Sequence, residues 1–129
     1  MILLSLDLGK RRVGVAISHG ILAEGLLTLD FDEKKKEEFF SRLQKTINEQ
    51  KVEKIIVGLP LGKDGNETEQ TVWTSKIGKE IEARFMLPFE FVEESFSTVS
   101  ARERTGKKKE KVDHIAAQTI LEQYLNGKS

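Results

Sequence analysis

The chain has 129 residues, of which 38% are hydrophobic and 33% are charged, and its 21 basic and 21 acidic residues give a formal net charge of zero. This composition is typical of a folded globular protein and excludes a disordered chain, and we expect one domain over residues 1–129. The chain has no cysteine, which excludes disulfides, thiolate metal sites and a cysteine nucleophile.

The first residues carry no basic lead-in and reach an acid at position 7, so we expect no secretory signal. No apolar run approaches the length needed to cross a membrane. We therefore expect a cytoplasmic protein with no membrane association. Because the net charge is zero, any attraction for nucleic acid must come from a local basic patch.

Three strands are predicted in the first quarter of the chain. Residues 2–8 and 13–18 are apolar runs, and the intervening Lys10, Arg11 and Arg12 suit a hairpin connection. Residues 22–31 predict a third strand. Runs this close together favour an antiparallel meander.

The remainder alternates between helix and strand. Residues 33–50 change to a helical period, with Asp32 as the expected N-cap. Residues 54–60 predict a buried strand, and a second helix follows, for which Asn66 and Glu69 suggest a capping-box start. The expected buried stripes of these helices are Phe39, Phe40, Leu43 and Ile47 in the first, and Trp73, Ile77 and Ile81 in the second.

Residues 88–94 predict a fifth strand, and a last helix is expected from about residue 111 to residue 125. The order predicts an α/β fold with a mixed five-stranded sheet. The first three strands would be antiparallel, the last two parallel, and helices would cover both faces. In such sheets ligands collect where the strand ends meet the loops.

Acidic residues stand at the ends of these predicted elements. Asp7 closes the first strand, although on its own it reads most simply as a turn residue before Gly9. Glu93 and Glu94 close the fifth strand and must point to opposite faces, so at most one can enter a given site. A polar strand terminus is the simpler reading of that pair.

Asp113 is the most informative acid. On a helix it shares one face with small and apolar residues, namely Ala116, Ala117, Ile120 and Tyr124. A first-turn Asp favoured by the helix dipole is the alternative, but the small residues favour a functional carboxylate packed close to the sheet.

Carboxylates gathered from strand and helix ends suit hard cations such as Mg²⁺ or Mn²⁺. Such a cluster commonly holds two metals about 3.5–4 Å apart that clamp a phosphodiester. Asp7, Asp113 and one of the two adjacent acids Glu93 and Glu94 are therefore the candidate metal ligands.

Basic residues flank these acids. The segment 102–111 reads RERTGKKKEK, immediately before Asp113, and a second basic group follows Asp7. A run of this kind is more often a solvated loop, but its position favours contact with a nucleic-acid backbone. The predicted nucleic-acid-binding residues are Lys10, Arg11, Arg12, Lys107, Lys108, Lys109 and Lys111.

Five segments together resemble the YqgF family, also called RuvX, of Holliday-junction-resolvase-like proteins. They are residues 7–16, 57–60, 64–65, 93–98 and 111–121, and they occur in the family's order and spacing over essentially the whole chain. The resemblance implies an RNase H-like fold and a Mg²⁺- or Mn²⁺-dependent nuclease. It further implies a role in 5′-end processing of pre-16S rRNA during ribosome biogenesis, or cleavage of branched DNA.

By the same resemblance, Asp7, Glu94 and Asp113 are the catalytic, metal-binding acids, with Glu93 as the alternative to Glu94. The chain departs from the family at Ser95, where the family typically has Arg. This change removes a guanidinium that could pair with an acid or a phosphate.

Two further interpretations stay open. One is a phosphotransferase of the actin and sugar-kinase superfamily, which shares the Asp-x-Gly element but needs two such domains to enclose a nucleotide. The other is a non-catalytic nucleic-acid-binding protein of ribosome assembly. Pre-rRNA and branched DNA are both open as substrates, and the chain could be a monomer or a weak homodimer.

Overall fold

The computed structural model of the protein describes residues 1–94 and the backbone of residues 109–127, with side chains in the last helix from residue 115 onward. Five strands form one sheet in the order β3-β2-β1-β4-β5. The strands are β1 (Leu3–Leu8), β2 (Arg12–Ser18), β3 (Ala23–Asp30), β4 (Lys54–Pro60) and β5 (Phe89–Glu94). The first three are antiparallel, and β4 and β5 run parallel to β1. This arrangement confirms the predicted mixed sheet.

The turn between β1 and β2 is tight. A Cβ atom added at Gly9 would lie 2.6 Å from the carbonyl oxygen of Arg12. Because that oxygen belongs to the backbone, a side chain at this position would force the hairpin open. Gly9 therefore permits the sharp reversal at the end of β1, two residues after Asp7.

Three α-helices accompany the sheet: α1 (Lys36–Gln50), α2 (Glu69–Phe85) and α3 (Lys109–Gly127). A short 3-10 helix (Glu33–Lys35) precedes α1, and the Asp32 carboxylate accepts from the Lys34 N–H at 2.9 Å. The predicted cap at Asp32 is thus confirmed, although it caps the 3-10 turn that leads into α1. Within the described residues, no helix is long and apolar enough to cross a membrane.

The start of α2 differs from the prediction. Its N-cap is Thr68, whose hydroxyl accepts from the Thr71 N–H, while the Thr71 hydroxyl accepts from the Thr68 N–H. Asn66 instead donates from its backbone and its side chain to Asp64. The expected Asn66–Glu69 start is therefore wrong, because the turn at Asp64 already uses Asn66.

Side-chain alternation along β1 divides the core into two layers. Leu4, Leu6 and Leu8 face α1 and α2, where they join the larger buried cluster, whereas Leu3 joins a smaller cluster under α3. Members of the larger cluster from the helices include Phe39, Phe40, Leu43, Ile47, Ile77 and Ile81. The predicted stripes are thus buried, except that Trp73 packs against the cluster while remaining partly exposed.

Candidate active site

Asp7 lies near the carboxyl end of β1, on the face of the sheet that α3 covers. Two residues earlier on the same face, the Ser5 hydroxyl donates a 2.7 Å hydrogen bond to the Ala117 carbonyl of α3. Asp7 pairs with Gly14 of β2, and the register of β1 with β4 ends at Leu6 and Val57, so Gly58 is the next residue on that side. Glycines thus occupy the positions beside Asp7 on both neighbouring strands, and the Asp7 side chain is half-buried.

Glu94 reaches toward the same place from β5. It pairs with Pro60 at the carboxyl end of β4. Its Oε2 atom lies 2.8 Å from the position that a Cβ at Gly58 would occupy. The Glu94 carboxylate therefore extends over β4 to Gly58, the residue that lies next to Asp7 on that strand. The pair of Asp7 and Glu94 on one face of the sheet is the centre of the candidate site.

Glu93 points the other way. Side chains along β5 alternate between the two faces, so Phe89 and Phe91 lie on the same face as Glu93. Both rings pack against the cluster under α1 and α2. Val92 packs in the cluster under α3, on the face of Glu94. Glu93 is exposed and Glu94 is half-buried. The structure thus brings Glu94, and not Glu93, to the face that holds Asp7, while the metal-binding role of Glu94 stays a prediction.

The helix α3 runs antiparallel to β1. Tyr124, late in α3, accepts a hydrogen bond from Lys54, which is paired with Leu3 at the start of β1. Ala117, earlier in α3, accepts a hydrogen bond from Ser5, further along β1. The backbone position of Asp113 is one helical turn before Ala117, toward the Asp7 end of the strand. The Asp113 side chain itself lies outside the described residues.

The basic residues after Asp7 do not act as one group. Arg12 is the first residue of β2 and lies an even number of residues before Ala16, so the two side chains point to the same face of the sheet. Ala16 packs under α3, and Arg12 therefore shares the face of Asp7. Lys10 turns toward α2, where its Nζ atom lies 5.9 Å from the centre of the Trp73 ring. Arg11 is exposed, and its carbonyl oxygen accepts from the Phe31 N–H. Lys107 and Lys108 lie outside the described residues, as do the side chains of Lys109 and Lys111.

Gly58 is the residue of this site that the sequence interpretation missed. The prediction placed it inside the strand of residues 54–60 and gave it no role of its own, and it does lie within β4. A Cβ there would meet the Ile120 side chain of α3 as well as the Glu94 carboxylate. A glycine inside an apolar strand often marks such a close approach, and this signal could have identified it.

Among side chains in residues 1–94 and 115–127, no group of three or more His, Cys, Asp or Glu residues is placed to hold a metal ion. Asp7 and Glu94 contribute two carboxylates, the donor type that suits Mg²⁺ and Mn²⁺. The chemistry of the pair therefore fits a hard cation that takes a further ligand from another element.

Comparison with known proteins identifies the family of the chain. A family model described as "RuvX: Holliday junction resolvase" matches residues 1–127. Two proteins of Streptococcus pyogenes, from serotype M2 (strain MGAS10270) and serotype M1, are named "Putative pre-16S rRNA nuclease". Each is 35% identical over 136 residues, and the match covers 98% of this chain and 98% of the relative.

Solved structures give the same fold. Thermus thermophilus RuvC superposes with a TM-score of 0.51 at 14% identity, over 72% of this chain and 64% of the RuvC chain. RuvC in complex with a Holliday junction substrate gives a TM-score of 0.50 at 10% identity, with the same coverage. The chain spans just under two thirds of the RuvC chain, and at these identities the likeness shows the fold alone, which is RNase H-like as predicted. Because the family model covers nearly the whole chain and the relatives match at full length, the chain belongs to the RuvX family, also called YqgF.

Proposed function

We propose that this protein is a divalent-metal-dependent endonuclease that cleaves a phosphodiester bond in structured nucleic acid, with the 5′ end of pre-16S rRNA as its substrate. The observation that carries the proposal is the placement of Asp7 and Glu94. They lie on one face of the sheet, at the carboxyl ends of β1 and β5, with the Glu94 carboxylate over Gly58. Strand ends of this kind are the usual ligand sites of such sheets.

Asp7 and Glu94 would hold the cation, and Asp113 from the first part of α3 would complete the set of protein ligands. Mg²⁺ or Mn²⁺ bound there would neutralise charge on the scissile phosphate and promote deprotonation of the attacking water. The residues of the chain fix the position of that phosphate. Asp7 occupies the centre because it lies on the strand between β2 and β4.

Arg12 is placed to contact the substrate beside the acids. It shares the α3 face with Asp7 and is only partly buried. A guanidinium suits a phosphate because its planar donors can bind two oxygens at once. We propose that Arg12 orients the substrate backbone at the site and that the lysines at positions 107–111 extend the contact.

The choice of substrate rests on the names of the relatives. The full-length curated relatives are named for pre-16S rRNA, whereas the family model and the RuvC complex are named for Holliday junctions. Both substrates are structured nucleic acids, and the full-length matches favour the ribosomal precursor. A cytoplasmic location, expected from the sequence, accords with that substrate.

The decisive experiment is a cleavage assay of Asp7→Asn with Mn²⁺, on a structured pre-16S rRNA fragment and on four-way-junction DNA. The amide keeps the shape of the side chain but removes the charge that binds a cation. We expect cleavage by the native chain and loss of cleavage in the variant. Asp32→Asn is the matched control, because Asn caps a helix about as well as Asp and Asp32 lies at the exposed start of the 3-10 helix.

Undiminished cleavage by Asp7→Asn would sink the proposed mechanism. Cleavage of the junction without cleavage of the RNA would overturn the assigned substrate and keep the nuclease. A native chain that cleaves neither nucleic acid would favour a non-catalytic role in assembly.

A further inference from the structure

A second surface lies beside the candidate site, on the other side of the β1–β2 turn. An open cleft of about 640 Å³ is bounded by the turn and the first part of α2. Its lining residues are Lys10, Glu67, Thr68, Glu69, Val72, Trp73 and Lys76. We call this surface the Trp73 cleft. None of the metal chemistry proposed above uses it.

The floor of the Trp73 cleft is apolar and fixed in place. The Trp73 ring packs edge-on against buried Phe31, with ring centres 5.7 Å apart, and its indole N–H donates to Glu33 at 3.1 Å. Val72 beside it is 60% exposed. An aromatic ring held by one ring contact and one hydrogen bond, and open toward a cleft, is a platform on which a flat ring can stack.

Cations lie around this platform. The Lys10 ammonium sits over the Trp73 ring at 5.9 Å from its centre, and Lys76 follows Trp73 by three residues on the same face of α2. Glu67 and Glu69 lie at the other end, where α2 begins. Glu69 and Lys76 are separated by about 10 Å along the helix axis, so the cleft has an acidic end and a basic, aromatic end.

The cleft is close to the acids. Lys10 follows Asp7 by three positions in the chain, so their Cα atoms are at most roughly 11 Å apart. Because Asp7 and Glu94 lie on the α3 face and Lys10 turns toward α2, a substrate strand bound at the acids would reach the cleft by crossing the β1–β2 turn. An apolar floor for a base and two ammonium groups for the adjoining phosphates match the two halves of a nucleotide.

We propose that the Trp73 cleft binds one unpaired nucleotide of the substrate strand next to the scissile phosphate. The base stacks on Trp73 and displaces Lys10 from the ring, and Lys10 and Lys76 contact the flanking phosphates. The site selects for single-stranded character near the cut, because a base within a duplex cannot expose its face to the ring. This inference rests on the proposed function, since it takes the nucleic-acid ligand from there.

Trp73 is the single tryptophan of the chain, so its fluorescence reports on the cleft directly. The test titrates the full chain with a 12-nucleotide single-stranded RNA of mixed sequence, in EDTA, so that no metal-dependent cleavage occurs. We expect saturable quenching that weakens steeply with added salt. Lys76→Ala should weaken the apparent affinity about 3- to 10-fold, and Lys45→Ala, which removes an exposed lysine of α1, should leave it unchanged.

A second variant tests the platform itself. Trp73→Phe keeps an aromatic ring in the core but offers a smaller stacking surface, and its binding is followed by the anisotropy of a dye-labelled RNA. We expect about 5- to 10-fold weaker binding, with a thermal unfolding curve confirming that the variant is folded. A duplex of the same sequence should bind this cleft more weakly than the single strand and should quench Trp73 less.

RNA binding with no change in Trp73 fluorescence, and with equal affinity in the native chain and in Lys76→Ala, would overturn the inference. The inference would also be overturned if an added peptide quenched the Trp73 fluorescence and RNA did not displace it, because the cleft would then bind protein instead of nucleic acid. The result is separable from the proposed function because no metal is present. Cleavage by Asp7→Asn would refute the catalytic mechanism and leave the quenching intact, whereas active cleavage without quenching would refute the cleft alone.

Discussion

The Ser5 hydroxyl donates a 2.7 Å hydrogen bond to the Ala117 carbonyl oxygen, and both residues are buried. This bond ties the middle of β1 to α3, two residues before Asp7 on the strand and one helical turn after the position of Asp113. The bond joins the two elements that carry these acids, in addition to the packing of Leu3 against α3, and so contributes to their relative placement.

Replacement of Ser5 by Ala should lower the free energy of unfolding by about 1 kcal/mol, the usual net value of one internal hydrogen bond. The measurement is urea unfolding at neutral pH. Ser41→Ala is the control, because Ser41 is exposed on α1, and we expect its change to stay within about 0.5 kcal/mol. Equal stability of the native chain and Ser5→Ala would show that this bond does not hold α3.

Gly58→Ala tests the close approach of β4, α3 and Glu94. The new Cβ would overlap the Ile120 side chain and lie 2.8 Å from the Glu94 Oε2. Overpacking of this kind costs about 1–3 kcal/mol of stability. Cleavage should also fall under conditions in which the variant is folded, because Glu94 must move away from Asp7. Thermal unfolding and the cleavage assay measure the two effects.

The matched control for this glycine is Gly127→Ala, since no described residue beyond its own chain and helix neighbours comes within 4 Å of the Cβ position at Gly127. We expect its stability to change by less than about 0.5 kcal/mol. If Gly58→Ala were as stable and as active as Gly127→Ala, the contact between Glu94 and the Gly58 position would not be part of the site.

Glu93 and Glu94 offer a comparison between adjacent, chemically identical side chains. Glu94→Gln should reduce Mn²⁺-dependent cleavage by a factor on the order of 100 or more, since even loss of an outer partner of a metal ligand costs roughly 10–100-fold. Glu93→Gln removes the same charge one residue away, on the opposite face, and should retain cleavage near the native rate. The reverse pattern would assign the ligand to Glu93.

Lys54 gives a prediction about pH. Its ammonium donates to the Tyr124 hydroxyl at 2.8 Å and to the Glu90 carboxylate at 3.0 Å. The bond to Tyr124, and then that to Glu90, raise the pKa of Lys54 above its ordinary value. A raised lysine pKa in the folded state stabilises the fold at every pH below the unfolded value, roughly 10.4, and this contribution is lost as the pH rises through the folded value.

We therefore expect Lys54→Met to unfold about 1 kcal/mol more easily than the native chain at pH 7, and the difference to shrink above about pH 10.4. Urea unfolding at pH 7 and pH 11 measures both differences. Lys45→Met, at an exposed position of α1, should show no such dependence. If the free energies of unfolding of the native chain and of Lys54→Met differed by the same amount at both pH values, the raised pKa of Lys54 would be contradicted.

The sequence by itself determined the elements and their order. Strand alternation and helical periodicity are local properties, so the five strands, the helices and the buried residues such as Phe39 and Ile77 follow from spacing alone. It also determined which carboxylates stand near the ends of strands, because Asp7 and Glu94 come near the ends of apolar runs. The motif set was specific enough to indicate the family and hence the RNase H-like fold.

Tertiary structure alone decided which face each side chain meets. Glu93 and Glu94 are equivalent in a sequence pattern, and only the packing of α2 against Phe91 and of α3 against Val92 separates them. The same packing turns Lys10 toward α2 and places Arg12 on the α3 face. It also makes Gly58 the position where Ile120 and Glu94 approach β4. These outcomes depend on contacts between residues far apart in the chain, and a local period of 2 or 3.6 residues carries no information about which helix will cover a given side of the sheet.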